Sequence, residues 1–221
     1  LPPVEDELDN LEDAALDAFE DEEYAPNIER GQLLRRQVAR RCVYGVDLNP
    51  LATELARLSI WVHTFVPGLP LTFLEYNLRS GDSLVGIGTL NEVSNILGKS
   101  RGGNYSLSSF ASGDIVDEIS EDIEALGNFA DTSAEQVAEV RRTRKEIEDQ
   151  LEPVRARLDI LAASRLDDDV NSKAASETDI DPTKLSSYER AQEVLQAFDT
   201  LHFPTAFPEV FMESGGFNVI V

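Results

Sequence analysis

A short β-branched and aromatic run, Cys42 to Val46, ends in an aspartate, turns at Leu48 and Asn49, and opens into a helical pattern at Pro50. The run reads as a buried strand in which Gly45 permits close backbone approach. From Pro50 to Phe65, Leu51, Leu55, Leu58 and Val62 recur at helical spacing, with Ala52, Ala56 and Ser59 beside them. Pro50 suits a first helical turn, and Asp47 or Asn49 is placed to cap it. Strand, turn and helix in that order point to an α/β unit, where strands are parallel and ligands gather at their carboxyl ends.

The remaining segments extend that reading. LTFLEYN (71–77) alternates as a second strand, and the glycine-bounded turn GDSLVG follows it. Residues 88–112 are rich in Gly, Ser and Asn and read as a loop. Ile115, Ile119, Ile123 and Leu126 then mark a helix. Thr132 and Glu135 have capping-box spacing for the next one. Val140, Ile147, Val154 and Leu161 repeat every seven residues, with Val137, Leu151 and Leu158 as a second track that Arg144 interrupts. Pro153 is expected to kink or split this pattern, which favours an intramolecular helical hairpin over a dimer zipper. Residues 167–184 read as an acidic, flexible link. Ser186 and Glu189 repeat the capping-box spacing ahead of a helix through Leu201. A Gly-Gly turn then leads to a strand, Phe217 to Val221. The fold expectation is therefore α/β: part of a parallel sheet with an inserted, coiled-coil-like helical arm. Its expected divisions are an acidic segment at 1–30, a partial core at 31–90, a helical insertion at 91–197 and a return to the core at 198–221.

Charge narrows the function classes. The net charge is −23, and Lys99, Lys145, Lys173 and Lys184 are the only lysines. Acid-rich, lysine-poor surfaces stay solvated at high salt, where screening over about 3 Å at 1 M removes self-repulsion, so a halophilic source is expected. Phosphate binding needs basic patches. Here the basic cluster at Arg30, Arg35, Arg36, Arg40 and Arg41 reads as a solvated helix face, the alternative being a nucleic-acid contact. No apolar run approaches the 18 or so residues of a membrane span, and the acidic opening has no signal-peptide character. A cytoplasmic chain without membrane contact is expected. One cysteine and two distant histidines make neither a disulfide nor a metal cluster. Cys42 reads as a small buried hydrophobe, His63 as a surface or partly buried residue, and Trp61, Phe65 and Phe73 as core.

The chemistry sits with two aspartates. A carboxylate closing a strand has two acceptor oxygens, matching the two hydroxyls of an adenosine ribose. Asp47 is placed for that contact, and the apolar Leu48 can lie against the adenine. Asp82, at the end of the next strand, can accept from the exocyclic amine. Each also reads as a plain turn former.

YGVDLNPLATELARLSIW, PGLPLTFLEYNLRSGDSLVG and FPEVFMESGGFNVIV, in that order, resemble the large adenine-specific DNA methyltransferases of type IIG restriction-modification systems and related phage-defence enzymes. The resemblance covers roughly residues 38–90 and 198–221. It implies a Rossmann-like methyltransferase sheet and S-adenosylmethionine as cofactor of the complete enzyme. Asp47 would hold its ribose, and Asp82, with Ser83 beside it, its adenine end. It also implies DNA as the partner of the complete enzyme and contact with the rest of that polypeptide. Two family features are missing: a glycine-rich loop before Asp47, and the Asn-Pro-Pro-aromatic motif that engages the flipped base. The expectation is thus a piece of a longer enzyme, without a catalytic residue of its own and inactive alone. Two rivals stand beside it: a degenerate, non-enzymatic remnant serving as an interaction module, and a nicotinamide-dinucleotide Rossmann protein.

Overall fold

The computed structural model describes residues 4–19, 27–70, 74–97, 109–110, 113–129, 132–177, 179–213 and 215–221. In chain order the elements are α1 (Val4–Asp17), α2 (Arg30–Cys42), β1 (Gly45–Asp47), α3 (Pro50–Thr64), β2 (Leu78–Ser80), α4 (Leu90–Ile96), α5 (Gly113–Asn128), α6 (Ala134–Gln150) and α7 (Glu152–Ala163). Two 3₁₀ turns follow, Ser172–Ser176 and Pro182–Lys184. Then come α8 (Ser186–Leu195), α9 (Phe203–Ala206) and α10 (Pro208–Glu213). The fold is mainly helical, with β1 and β2 paired in a small parallel sheet. The chain forms two compact units. The first comprises Leu1–Gly45, Leu51–Arg79 and Asp122–Glu146; the second comprises Val46–Pro50, Ser80–Glu121 and Ile147–Val221.

The first unit is built on α1 and α2. Leu8, Leu11 and Ala15 fall on one face of α1 at helical spacing and are buried with Ile28, Leu33, Val66 and Leu69. Of the α2 arginines expected as a solvated face, Arg30 and Arg35 are exposed, but Arg36, Arg40 and Arg41 are not. Arg36 is 1% exposed and donates to Pro70 O at 2.7 Å. Arg41 lies 2.7 Å from Glu7 and also donates to Gly127 O; Arg40 stands 3.5 Å from Glu7. Arg30 reaches Glu5 and Asp9 at 2.9 and 2.8 Å. The hydrogen bond it donates to Asp9 is the main reason its guanidinium holds its proton more tightly than usual, with Glu5 and Glu12 adding to it. The acids of the N-terminal segment thus pair with Arg30, Arg40 and Arg41, which requires the three-dimensional contact of two helices. Cys42 is exposed rather than buried, because α2 ends there and the chain leaves for the strand.

The strand pair is tied in by polar side chains. Gly45 N–H donates to Asn77 O at 2.9 Å. The buried Asn77 amide donates to Arg40 O and Val43 O. Arg57 on α3 donates to Leu78 O and Glu75 O, fixing the turn before β2. The second strand lies at Leu78–Ser80, later than expected; Glu75–Asn77 form a turn, and residues 71–73, with Phe73, lie outside the described residues. The helix after Asp47 forms as expected, but its apolar stripe stays open. Leu51, Leu55, Leu58 and Val62 are 52–65% exposed. Trp61 is half-buried against Phe65, which is itself exposed, so neither is core; His63 is exposed.

In the second unit α7 is the hub. Of the expected heptad track, Ile147, Val154 and Leu161 lie in this unit and are buried, as Val140 is in the first unit; the helix breaks at Leu151 with Pro153 in the first turn of α7. α7 packs on α8 and on the 3₁₀ turns. Residues 167–184, expected as a flexible link, are held where described. Arg157, 3% exposed, donates to Glu177 O at 2.6 Å and Ile180 O at 2.8 Å, and Ala174 and Ala175 are buried. Burial makes the Arg157 guanidinium less basic than usual, while Asp181 and Glu177 oppose that. The helix α8 starts at Ser186 itself, so Leu185 occupies the cap position and no side chain caps it. At the start of α6 the capping contacts are Ser133 to Gln136 N–H and Gln136 back to Thr132 N–H, one residue from the expected pair. Within the expected loop, Leu90–Ile96 is helical, with Val93 fully buried; residues 98–108 and 111–112 lie outside the described residues. Phe217–Val221 is not a strand. Val219, Ile220 and Val221 are exposed, and no described segment pairs with them. Phe217 instead meets Phe203, Phe207 and Phe211 edge-on or nearly so, at 5.5–6.0 Å.

Candidate functional site

Asp47, Leu48, Asp82 and Ser83 all belong to the second unit. Asp47 closes β1, and its carbonyl accepts from Gly81 N–H at 3.0 Å. That bond sets the two strand ends side by side, so Asp82 begins one residue beyond the partner of Asp47. Asp82 continues the ladder on its other side through an isolated parallel bridge to Thr200. Three chain segments therefore reach this point together: 46–50, 80–84 and 199–201. The third was expected as the end of a helix running through Leu201; α8 instead ends at Leu195, and Thr200 bridges to Asp82.

Each aspartate spends one oxygen on its own turn. Asp47 Oδ1 accepts from Asn49 N–H at 2.7 Å, which steers the chain from β1 into α3. Asp82 Oδ1 accepts from Leu84 N–H at 3.0 Å and Val85 N–H at 3.1 Å. Among the described residues the Oδ2 atoms of both make no hydrogen bond. Both turn roles foreseen for these residues are present, and neither exhausts the carboxylate. Asp47 is exposed; Asp82 and Ser83 are half-buried. Two apolar side chains stand beside them in sequence and face solvent: Leu48 at 64% and Leu84 at 90% exposure. Leu84 was not foreseen as part of the site; an exposed leucine immediately after GDS is its only sequence signal.

Glycine is required where the loop approaches residue 201. A Cβ on Gly86 would lie 1.8 Å from Leu201 O, and one on Gly81, whose φ is +156°, would lie 2.7 Å from Leu201 Cβ. The loop is also held by side chains. Arg165 donates to Val85 O and, at 2.8 Å, to Gly86 O. Ile87 N–H donates to His202 Nδ1 at 2.9 Å, and Gly88 N–H to Glu92 at 3.2 Å. Among the described residues no group of three or more metal-ligating side chains is found, and no helix is long and apolar enough to cross a membrane.

No curated protein and no solved structure matches the chain. The model of one family does match, over residues 41–221, beginning just before β1 and taking in Asp47, the Asp82 loop and the helical segment between that loop and residue 221. The chain belongs to the Eco57I restriction-modification methylase family.

Proposed function

We propose that this chain is the cofactor-holding part of an S-adenosylmethionine-dependent adenine DNA methyltransferase of a restriction-modification or phage-defence system. The observation that carries the reading is the pair of adjacent strand ends. Asp47 and Asp82 stand on neighbouring segments joined by the Gly81–Asp47 hydrogen bond. Each keeps one carboxylate oxygen for an outside donor. Asp47 Oδ2, with the second lone pair of Oδ1, can accept from two neighbouring hydroxyls of a ribose, and Asp82 Oδ2 from an exocyclic amine, through charge-assisted bonds. Leu48 and Leu84 offer apolar surface for a flat purine, and Ser83 adds a hydroxyl at its edge. This donor set fits the adenosine end of the cofactor. The strand pair and the bridge at Thr200 support reading these segments as part of a Rossmann-like sheet.

When bound, S-adenosylmethionine supplies the methyl group. What these residues do is hold and orient its adenosine, which contributes to rate by positioning alone. The sequence contains no Asn-Pro-Pro-aromatic motif. The chain by itself should therefore bind the cofactor without transferring methyl to DNA. The test is calorimetric titration of the chain with S-adenosylhomocysteine, beside a methyl-transfer assay on adenine-containing duplex DNA. Binding without transfer supports the reading, and absence of binding at millimolar ligand contradicts it.

A further inference from the structure

Two residues outside the family-like aspartates grip the loop that carries Asp82. Arg165 lies just past the end of α7, in the helical segment, and is one-third exposed. Its guanidinium donates to the carbonyls of Val85 and Gly86, and it stands 3.7 Å from Glu92, which itself accepts from Gly88 N–H. His202 is fully buried. Its Nδ1 accepts from Ile87 N–H, so the ring proton must sit on Nε2, which faces Asp159 Oδ1 of α7 at 2.9 Å. Asp159 also accepts from Gln192 of α8. The backbone completes the clamp: Leu201 N–H donates to Asp82 O and Phe203 N–H to Ile87 O.

The carbonyls of Val85, Gly86 and Ile87 and the N–H of Ile87 are engaged by residues distant in sequence, and Gly88 N–H by Glu92, while Val85 N–H and Gly86 N–H turn back onto Asp82 itself. The turn at Asp82 is closed by Leu84 and Val85 N–H on its Oδ1 and by Gly86 N–H on its carbonyl, so two of the three closing amides belong to the segment that Arg165 and His202 hold. Its shape therefore depends on what holds residues 85–88. We propose that Arg165 and His202 are positioning residues, which keep the Asp82 carboxylate at the strand end by locking residues 85–88 onto α7. The helical segment thereby becomes part of the cofactor site rather than an appendage to it. This rests on the cofactor reading given above.

The experiment combines amide hydrogen exchange with titration of S-adenosylhomocysteine, on the full chain and on Arg165→Ala, His202→Asn, His202→Ala, Asp82→Asn and Arg165→Ala/Asp82→Asn. Arg165→Ala should raise exchange at Gly86–Gly88 about tenfold while amides of α7 and α8 keep their protection. It should also weaken binding about fivefold or more. His202→Asn, whose carbonyl can still accept from Ile87 N–H, should keep more loop protection than His202→Ala. Because Arg165 acts through Asp82, its effect on binding should largely vanish in the Asp82→Asn background. Unchanged loop exchange in Arg165→Ala overturns the clamp. Loosened exchange with unchanged affinity, or additive losses in the double variant, overturns the positioning role. Should His202→Ala lose protection throughout, Arg165→Ala alone decides. A wild-type chain that binds no ligand defeats the cofactor reading and the positioning role together, while the exchange data still show whether the loop is clamped.

Discussion

Glu7 in the first unit is 4% exposed, and both its oxygens lie against Arg41, with Arg40 nearby. Asp47 and Asp82 in the second unit use one oxygen each for a local turn and keep the other. The same residue chemistry thus serves two ends in one acid-rich chain. Where the carboxylate is buried between helices it is consumed in structure, and the arginines that looked available for phosphate are consumed with it. Where it closes a strand, the backbone needs only part of it. A spare oxygen at a strand end, rather than charge as such, marks the candidate site.

The strongest way to break this contrast is Glu7→Gln. It leaves two arginines without their buried counter-charge, and removing one partner of a buried pair costs about 3–5 kcal/mol. Urea unfolding should show that loss, whereas Arg30→Ala, whose partners are largely exposed, should leave the midpoint unchanged. Gly86→Ala comes next. Its Cβ would collide with Leu201 O, so the loop must move, at a cost of about 3 kcal/mol. The same variant should weaken S-adenosylhomocysteine binding. A full-strength binder would show that loop geometry is irrelevant to the site. Asp47→Asn sharpens the comparison from the other side. Hydrogen bonds to a charged group contribute about 1.5–3 kcal/mol. Affinity should therefore fall by about 10- to 100-fold, with little change in Tm.

The smallest effect concerns acid pH. Asp167 accepts from Asp169 N–H and pairs with Arg190 at 2.6 Å, and these contacts hold its carboxyl below the ordinary 3.8. A depressed folded-state value means that the carboxylate's stabilisation is present above pH 3.8 and fades as pH falls through the lower, folded-state range. Asp167→Asn should flatten the acid limb of the stability curve below pH 4 and leave cofactor affinity at neutral pH untouched.

How much of this was legible in the sequence depended on range. Pro50 and the Leu51–Val62 spacing locate α3, and Pro153 locates the break between α6 and α7, because both signals are local. The fate of Arg36, Arg40 and Arg41 was not legible, since their partners, Pro70 O for Arg36 and Glu7 for the other two, are distant in sequence and nothing in either stretch announces the pairing. FNVIV carries strand periodicity, yet a strand also needs a neighbour, and among the described residues it has none. The segment 199–201 shows the reverse: helical spacing carried the expected helix through Leu201, but α8 ends at Leu195 and Thr200 takes a partner at Asp82. At the site, Asp47 and Asp82 stood out as strand-end acids. Arg165 and His202 did not, since a clamp assembled from backbone carbonyls and amides leaves no mark on the residues it holds, apart from Gly86, where the close approach forbids a side chain.

Calorimetric titration of S-adenosylhomocysteine into the chain and into Asp47→Asn/Asp82→Asn shows whether the two strand-end carboxylates hold an adenosine. Saturable one-to-one binding should weaken by about 100-fold or more in the double variant, at unchanged Tm. Equal affinity in the two proteins, or no binding to the wild-type chain, would contradict that role of the carboxylates.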